Sequence, residues 1–158
     1  MIVNIETTFA VDYDAFIEQL NKPAAWMHVS APLLSFAPLT PGGFPSAWGE
    51  GEYLAGLRLF GLIPLGKQAI VVERIKTESP DEYILRDNGS GDIVTRWDHW
   101  VLIRRRRDGK SIRYIDRVDI KAGILTFGVY LFASLFYRWR QHKWRRLIRN
   151  GFRNEKLK

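Results

Sequence analysis

The sequence predicts an α+β chain: about seven antiparallel strands, two short helices after the first of them, and one long C-terminal helix. Three observations carry this. The middle of the chain is a succession of runs rich in β-branched and aromatic residues, punctuated by Asn88-Gly89 and Asp108-Gly109 turn signals. No helix-length segment separates these runs, so the strands must pair as hairpins in a meander rather than as parallel crossovers. After residue 122 the pattern changes to a proline-free stretch long enough for about eight helical turns.

Each element follows from local chemistry. Residues 2–9 (Ile-Val-Asn-Ile-Glu-Thr-Thr-Phe) favour an extended strand. Asp12 is placed to cap a helix over residues 13–21, whose apolar face carries Phe16, Ile17 and Leu20. Pro23 starts a second short helix to about residue 28, and residues 33–39 read as a short strand ending at Thr40-Pro41-Gly42-Gly43. Residues 51–60 and 67–76 are strands joined through Gly61 to Gly66. Residues 82–87 and 93–105 flank the turn residues 88–91, and residues 110–120 follow Asp108-Gly109. One helix is expected over 122–150, closing a single domain of residues 1–150, with residues 151–158 as a frayed basic tail.

At 158 residues, 46% hydrophobic and 13% aromatic, the chain can bury a real core, which excludes a disordered or low-complexity protein. It has no cysteine, so disulfide frameworks, thiol nucleophiles and cysteine-ligated metal sites are excluded. The three histidines show no second ligand at helical spacing, and no metal or other cofactor is expected. Met1-Ile2-Val3-Asn4 opens no basic-then-apolar leader, and a cytoplasmic location is expected. The net charge of +7 is concentrated: residues 138–158 hold nine Lys/Arg and one acid, whereas the preceding 137 residues carry a net charge of −1.

The order of elements resembles the helix-grip fold of the START / polyketide-cyclase-like (SRPBCC) superfamily. Local strings carry the likeness further: Leu85-Arg86-Asp87-Asn88-Gly89-Ser90-Gly91, Trp97-Asp98-His99, Tyr114-Ile115-Asp116-Arg117 and Ala122-Gly123 are similar to uncharacterised bacterial members. The resemblance covers essentially the whole chain. It implies a curved sheet wrapped around the C-terminal helix with an apolar cavity between them, and it implies no particular reaction.

Within the long helix, residues 122–137 are free of charge. Sixteen residues rise about 24 Å, short of the ~30 Å of a bilayer core, so a packed helix is the better reading than a span. Gly123 and Gly128 would let the sheet or a ligand come close to its backbone. Because this stretch is apolar on all sides, its outer face needs a cover: the N-terminal helices, a second copy in a homodimer, or lipid. From Arg138 to Arg153, basic residues alternate with Trp139, Trp144, Leu147, Ile148 and Phe152. That composition suits an anionic membrane surface, or equally a snorkelling cover over the end of a core. No nucleic-acid motif accompanies it.

The hairpin around Asp108-Gly109 fixes a register in which His99 faces Val118 and Val101 faces Asp116. Alternation then gives both strands a common inner face, Trp97, His99, Val101 and Ile103 on one, Tyr114, Asp116, Val118 and Ile120 on the other. His99 and Asp116 interrupt this apolar face as diagonal neighbours. A carboxylate facing an apolar interior needs a donor, and His99 is the first candidate, with Tyr53 or Tyr114 able to add a hydroxyl. Asp87 reads as turn chemistry. The expected function is binding of a small apolar or lipid-like ligand by Tyr53, Leu57, Trp97, His99, Val101, Ile103, Tyr114, Asp116 and Val118 from the sheet, and Leu125, Val129 and Phe132 from the helix. One alternative is a cyclase- or hydratase-type enzyme using His99 and Asp116. Another is a membrane-surface or protein-interaction module acting through the basic helix. A buried pair that only fixes strand register would leave His99 and Asp116 without a ligand.

Overall fold

The computed structural model describes residues 1–153. Strand β1 (Ile2–Phe9) leads into helices α1 (Tyr13–Leu20) and α2 (Pro23–Ser30), followed by strands β2 (Leu34–Pro38), β3 (Gly51–Leu59), β4 (Ile63–Ile75), β5 (Glu82–Gly91), β6 (Arg96–Arg105) and β7 (Ile112–Lys121). A short 3-10 turn (Gly123–Leu125) then opens helix α3 (Thr126–Arg149). The strands form one antiparallel sheet in the order β1-β7-β6-β5-β4-β3-β2. This is the α+β helix-grip architecture, with the sheet curved around α3 and two short helices inserted after the first strand.

Local signals account for most boundaries. The Asp12 carboxylate accepts from Ala15 N at 2.9 Å and caps α1, while Pro23 occupies the first turn of α2, where a missing N–H costs nothing. In the β6–β7 hairpin His99 stands opposite Val118 and Val101 opposite Asp116, the register expected from the sequence. The turn itself is wider than two residues. Arg106 N donates to Ser111 O and Gly109 N to Arg106 O, and the Asp108 carboxylate accepts from Lys110 N and Ser111 N, all at 3.0 Å. Widening the loop by one residue on each side leaves the pairing sum unchanged, which is why the register survives.

Two expected turns are displaced. The residues 88–91 are not a hairpin turn: β5 continues to Gly91, and the chain reverses at residues 92–95, where Gly91 N donates to Val94 O. The glycines serve a different need. A Cβ on Gly89 would lie 2.5 Å from Ala69 O, and one on Gly91 2.5 Å from Lys67 O, so β4 passes too close for side chains. Likewise β4 begins at Ile63 rather than residue 67, because Phe60 and Gly61, with φ of 53° and 73°, turn the chain tightly.

Phe152 N donates to Leu147 O and Gly151 N to Ile148 O, with Gly151 at φ +60°, a Schellman stop that folds Phe152 back onto the core. Of the expected tail, residues 154–158 lie outside the described residues. The core has two parts. One packs Phe9, Phe16, Leu20, Trp26, Tyr114, Trp144 and Leu147 beneath α1 and the C-terminal half of α3. The other gathers Val3, Leu34, Val118, Ile120, Ala133, Phe136 and Tyr137, and it forms part of the cavity wall.

Candidate functional site: a cavity between the sheet and helix α3

The curved sheet and the N-terminal half of α3 line a partly open cavity of about 310 Å³. Its walls are Phe36, Leu57, Leu59 and Leu65 from β2–β4, Ile93, Val94 and Trp97 around the β5–β6 turn, and Gly128, Val129, Phe132 and Phe136 from α3. One end is polar, where Gln68, Asp87, His99, Tyr137 and Arg140 converge.

This polar end is built by strand alternation. Asp87 on β5 pairs directly with His99 on β6, and His99 pairs with Val118 on β7, one step from Asp116. Since each lies on the inner face of its strand, three ionisable side chains form a row across the sheet. His99 Nε2 and Asp116 Oδ1 are 2.9 Å apart, and both groups are fully buried. The Tyr114 hydroxyl donates to Asp116 Oδ1 at 2.9 Å, and Gln141 Nε2 donates to Asp116 Oδ2 at 3.0 Å. Gln141 also reaches Ile5 O at 3.0 Å, tying α3 to β1.

The charges follow from these contacts. Burial alone would push the Asp116 carboxyl up, but the hydrogen bond from His99, the nearby Arg140 charge and Gln141 outweigh it and hold Asp116 ionised. Burial lowers His99, and the Asp116 hydrogen bond only partly opposes this, so the pair is a carboxylate beside a neutral imidazole. With Nε2–H directed at Asp116, Nδ1 is left as an acceptor. Asp87 has weaker support. Burial pushes it up to about 7, against one backbone donor, Val71 N at 2.9 Å, and the Arg140 charge. Arg140 is 3% exposed and remains charged, because Tyr114, Asp116, Tyr137 and Asp87 together outweigh its desolvation. Its guanidinium carbon lies 5.1 Å from the Trp26 ring centroid and 5.7 Å from that of Tyr137.

Among the residues expected to bind ligand, Leu57, Trp97, His99, Val129 and Phe132 line the cavity. The others lie elsewhere. Val101, Ile103 and Tyr114 belong to the core under α1, Val118 to the second core cluster, and Asp116 sits behind His99. Tyr53 hydrogen-bonds Gly49 and packs 4.9 Å from Trp48, and Leu125 is 53% exposed in the 3-10 turn ahead of α3.

Asp87 and Arg140 are the polar residues that a reading of the sequence misplaces. Asp87 is not in a turn, since β5 runs through it with Leu85, Asp87 and Gly89 all inward. Arg140 falls within the basic run, yet Phe136, Arg140, Trp144 and Leu147 repeat at helical spacing and share the buried face of α3. That periodicity was the available signal. It also removes Trp144 and Leu147 from any surface role, and Trp139 is tied by its Nε1 to Ala31 O at 3.2 Å. Among the described residues no group of three or more His, Asp or Glu is placed to hold a metal ion, and no helix is long and apolar enough to cross a membrane.

The same overall fold recurs in solved structures. A START superfamily protein from Mycobacterium smegmatis superposes with a TM-score of 0.62 over 94% of this chain and 97% of its own, at 10% identity. The chain shares the fold of that protein. An AHSA1 protein from Silicibacter pomeroyi matches with a TM-score of 0.60 over 96% of this chain and 99% of its own, at 13% identity. A hypothetical protein from Helicobacter pylori matches at 0.67 over 90% and 84%, at 12% identity. No family model and no curated protein matches the sequence. At such identities the START likeness is one of backbone architecture, and the site must be argued from its own residues.

Proposed function

We propose that the protein binds a small, mostly apolar ligand in the cavity between the sheet and α3. The observation that carries this is the cavity itself: about 310 Å³, lined mostly by apolar side chains, with Gln68, Asp87, His99, Tyr137 and Arg140 clustered among them. A volume near the lower bound for ligand sites suits a small molecule, with the polar end fixing its orientation. Native mass spectrometry of the protein purified from cells tests the reading. A retained adduct of defined mass, lost on denaturation, is expected. A bare polypeptide mass, together with no uptake of a neutral apolar fluorophore such as N-phenyl-1-naphthylamine, would end it.

The Asp116–His99 pair favours a second reading, acid–base catalysis of the cyclase or hydratase type on such a ligand. Asp116 orients a neutral imidazole on the cavity wall, an arrangement able to accept a proton from a bound substrate. The α3 surface supports a further role at an anionic membrane. Ile124, Phe127, Leu131 and Leu135 are exposed at spacings of three and four residues, and Arg138, Arg145 and Arg149 are exposed farther along the helix.

A further inference from the structure

Arg140 is a full positive charge in the cavity wall whose hydrogen-bonding capacity the chain does not use. Its Nε and Nη2 are buried and have no acceptor. Asp116, which stays ionised despite its burial, already accepts from His99, Tyr114 and Gln141. Asp87 accepts from Val71 N. The Arg140 guanidinium carbon lies over the Trp26 and Tyr137 rings, cation–π contacts that provide no oxygen or nitrogen acceptor. A buried charged donor without an acceptor is costly and calls for an explanation.

The same protein shows what this edge of an arginine is used for. Nε and Nη2 share one side of the guanidinium plane. Arg86 presents that edge to Asp98, with Nε to Oδ1 at 2.8 Å and Nη2 to Oδ2 at 3.1 Å. Arg113 presents it to Glu6, at 2.6 and 2.7 Å. Each is a planar fork holding both oxygens of one carboxylate. Arg140 has the same fork, buried and unpaired, in a side chain that lines the polar end of the cavity.

We infer that the ligand of this cavity is a carboxylate-bearing amphiphile, its acid group received by the Arg140 guanidinium and its apolar body lying against Phe36, Leu57, Trp97 and Phe132. The inference rests on the cavity being a ligand site and adds the chemical class of what fills it. Asp87 is consistent with it. Burial pushes that carboxyl up to about 7, so it can take up a proton when a second anion enters beside it. The end of the cavity then holds Arg140 and the ligand acid as a pair, with the Asp116 charge stabilised by the hydrogen bonds from His99, Tyr114 and Gln141.

Competition against bound N-phenyl-1-naphthylamine, a neutral probe, tests the inference with decanoic acid, decanol and methyl decanoate, each below its aggregation limit. The acid should displace the probe from the wild-type protein roughly ten-fold or more tightly than the alcohol or ester, the scale of charge-assisted hydrogen bonds. Arg140→Met should keep binding the probe while losing that preference. Arg140→Lys, which retains the charge but not the fork, should keep only part of it. Equal displacement by acid and alcohol in the wild type would overturn the carboxylate inference and leave the cavity reading standing. Preference for the acid persisting in Arg140→Met would overturn the assignment to Arg140. Failure of the wild type to bind any of the four compounds would overturn both readings together.

Discussion

Asp87 and His99 face each other across adjacent strands, and burial acts on them in opposite directions along the pH axis. The folded state keeps His99 neutral, so its contribution to stability is lost as pH falls below its ordinary value of 6.5. Asp87 is raised from 3.8 to about 7, so the folded state binds a proton that the unfolded chain has released. Stability from this group is therefore greatest in acid and falls as pH rises from about 4 towards 7. Asp87→Asn removes that dependence while keeping a carbonyl to accept from Val71 N. Comparing variant with wild type cancels the His99 contribution, which both share. Chemical denaturation should then show the stability difference moving in favour of the variant by about 2–3 kcal/mol between about pH 5 and about pH 8. A difference independent of pH would mean that Asp87 is ionised throughout and that its burial is compensated by a donor other than Val71.

Elements were legible in the sequence where one physical rule dominated. The β6–β7 hairpin was, because alternation on two strands and the Asp108-Gly109 turn agree on a single inner face, and from that face the His99–Asp116 hydrogen bond follows. The β5–β6 turn was not, because glycine has two uses. Asn88-Gly89 has the composition of a tight turn, but here Gly89 is needed where Ala69 O crowds the strand, and this long-range contact leaves no local mark. Misplacing the turn takes Asp87 off the inner face and out of the site. Arg140 was hidden by its neighbours in a basic run, although its spacing from Phe136 and Trp144 placed it inward. Helix α3 offers a sharp test at the element scale. Gly128 lies on the cavity wall, its φ is ordinary, and a Cβ there would meet nothing within 4 Å. Gly128→Leu should therefore stabilise the protein by about 0.5–1 kcal/mol through helix propensity, while its side chain narrows the cavity and weakens probe uptake several-fold. Raised Tm with unchanged uptake would show that ligand does not pass or rest beside this part of α3.

For the whole molecule, the informative feature is where apolar surface and positive charge are left after packing. The apolar residues of the 138–153 segment are largely used internally: Trp144 and Leu147 are buried, and Ile148 and Phe152 pack against the core. The exposed apolar surface lies upstream, with Ile124 at 100%, Phe127 at 61%, Leu131 at 48% and Leu135 at 67%. Leu62, at the tip of the β3–β4 turn, is 81% exposed. Gly128, Val129 and Phe132, interleaved with this stripe, line the cavity, so the exposed stripe borders the cavity. Arg138, Arg145, Arg146 and Arg149 then supply exposed positive charge at the other end of the same helix. A helix of this composition lying on an anionic bilayer would bury the stripe and set the cations among headgroups, each worth about 1 kcal/mol near the surface. Co-sedimentation at low salt should pellet the protein with vesicles containing phosphatidylserine and leave it in solution with phosphatidylcholine alone. Added salt should weaken the association, and Phe127→Glu with Leu131→Glu should abolish it without loss of Tm, since neither side chain is in the core. Equal pelleting with neutral vesicles would remove the role assigned to the arginines. No lipid-dependent pelleting, combined with concentration-dependent dimerisation that the same double variant prevents, would assign the stripe to a second copy of the chain and remove the membrane reading.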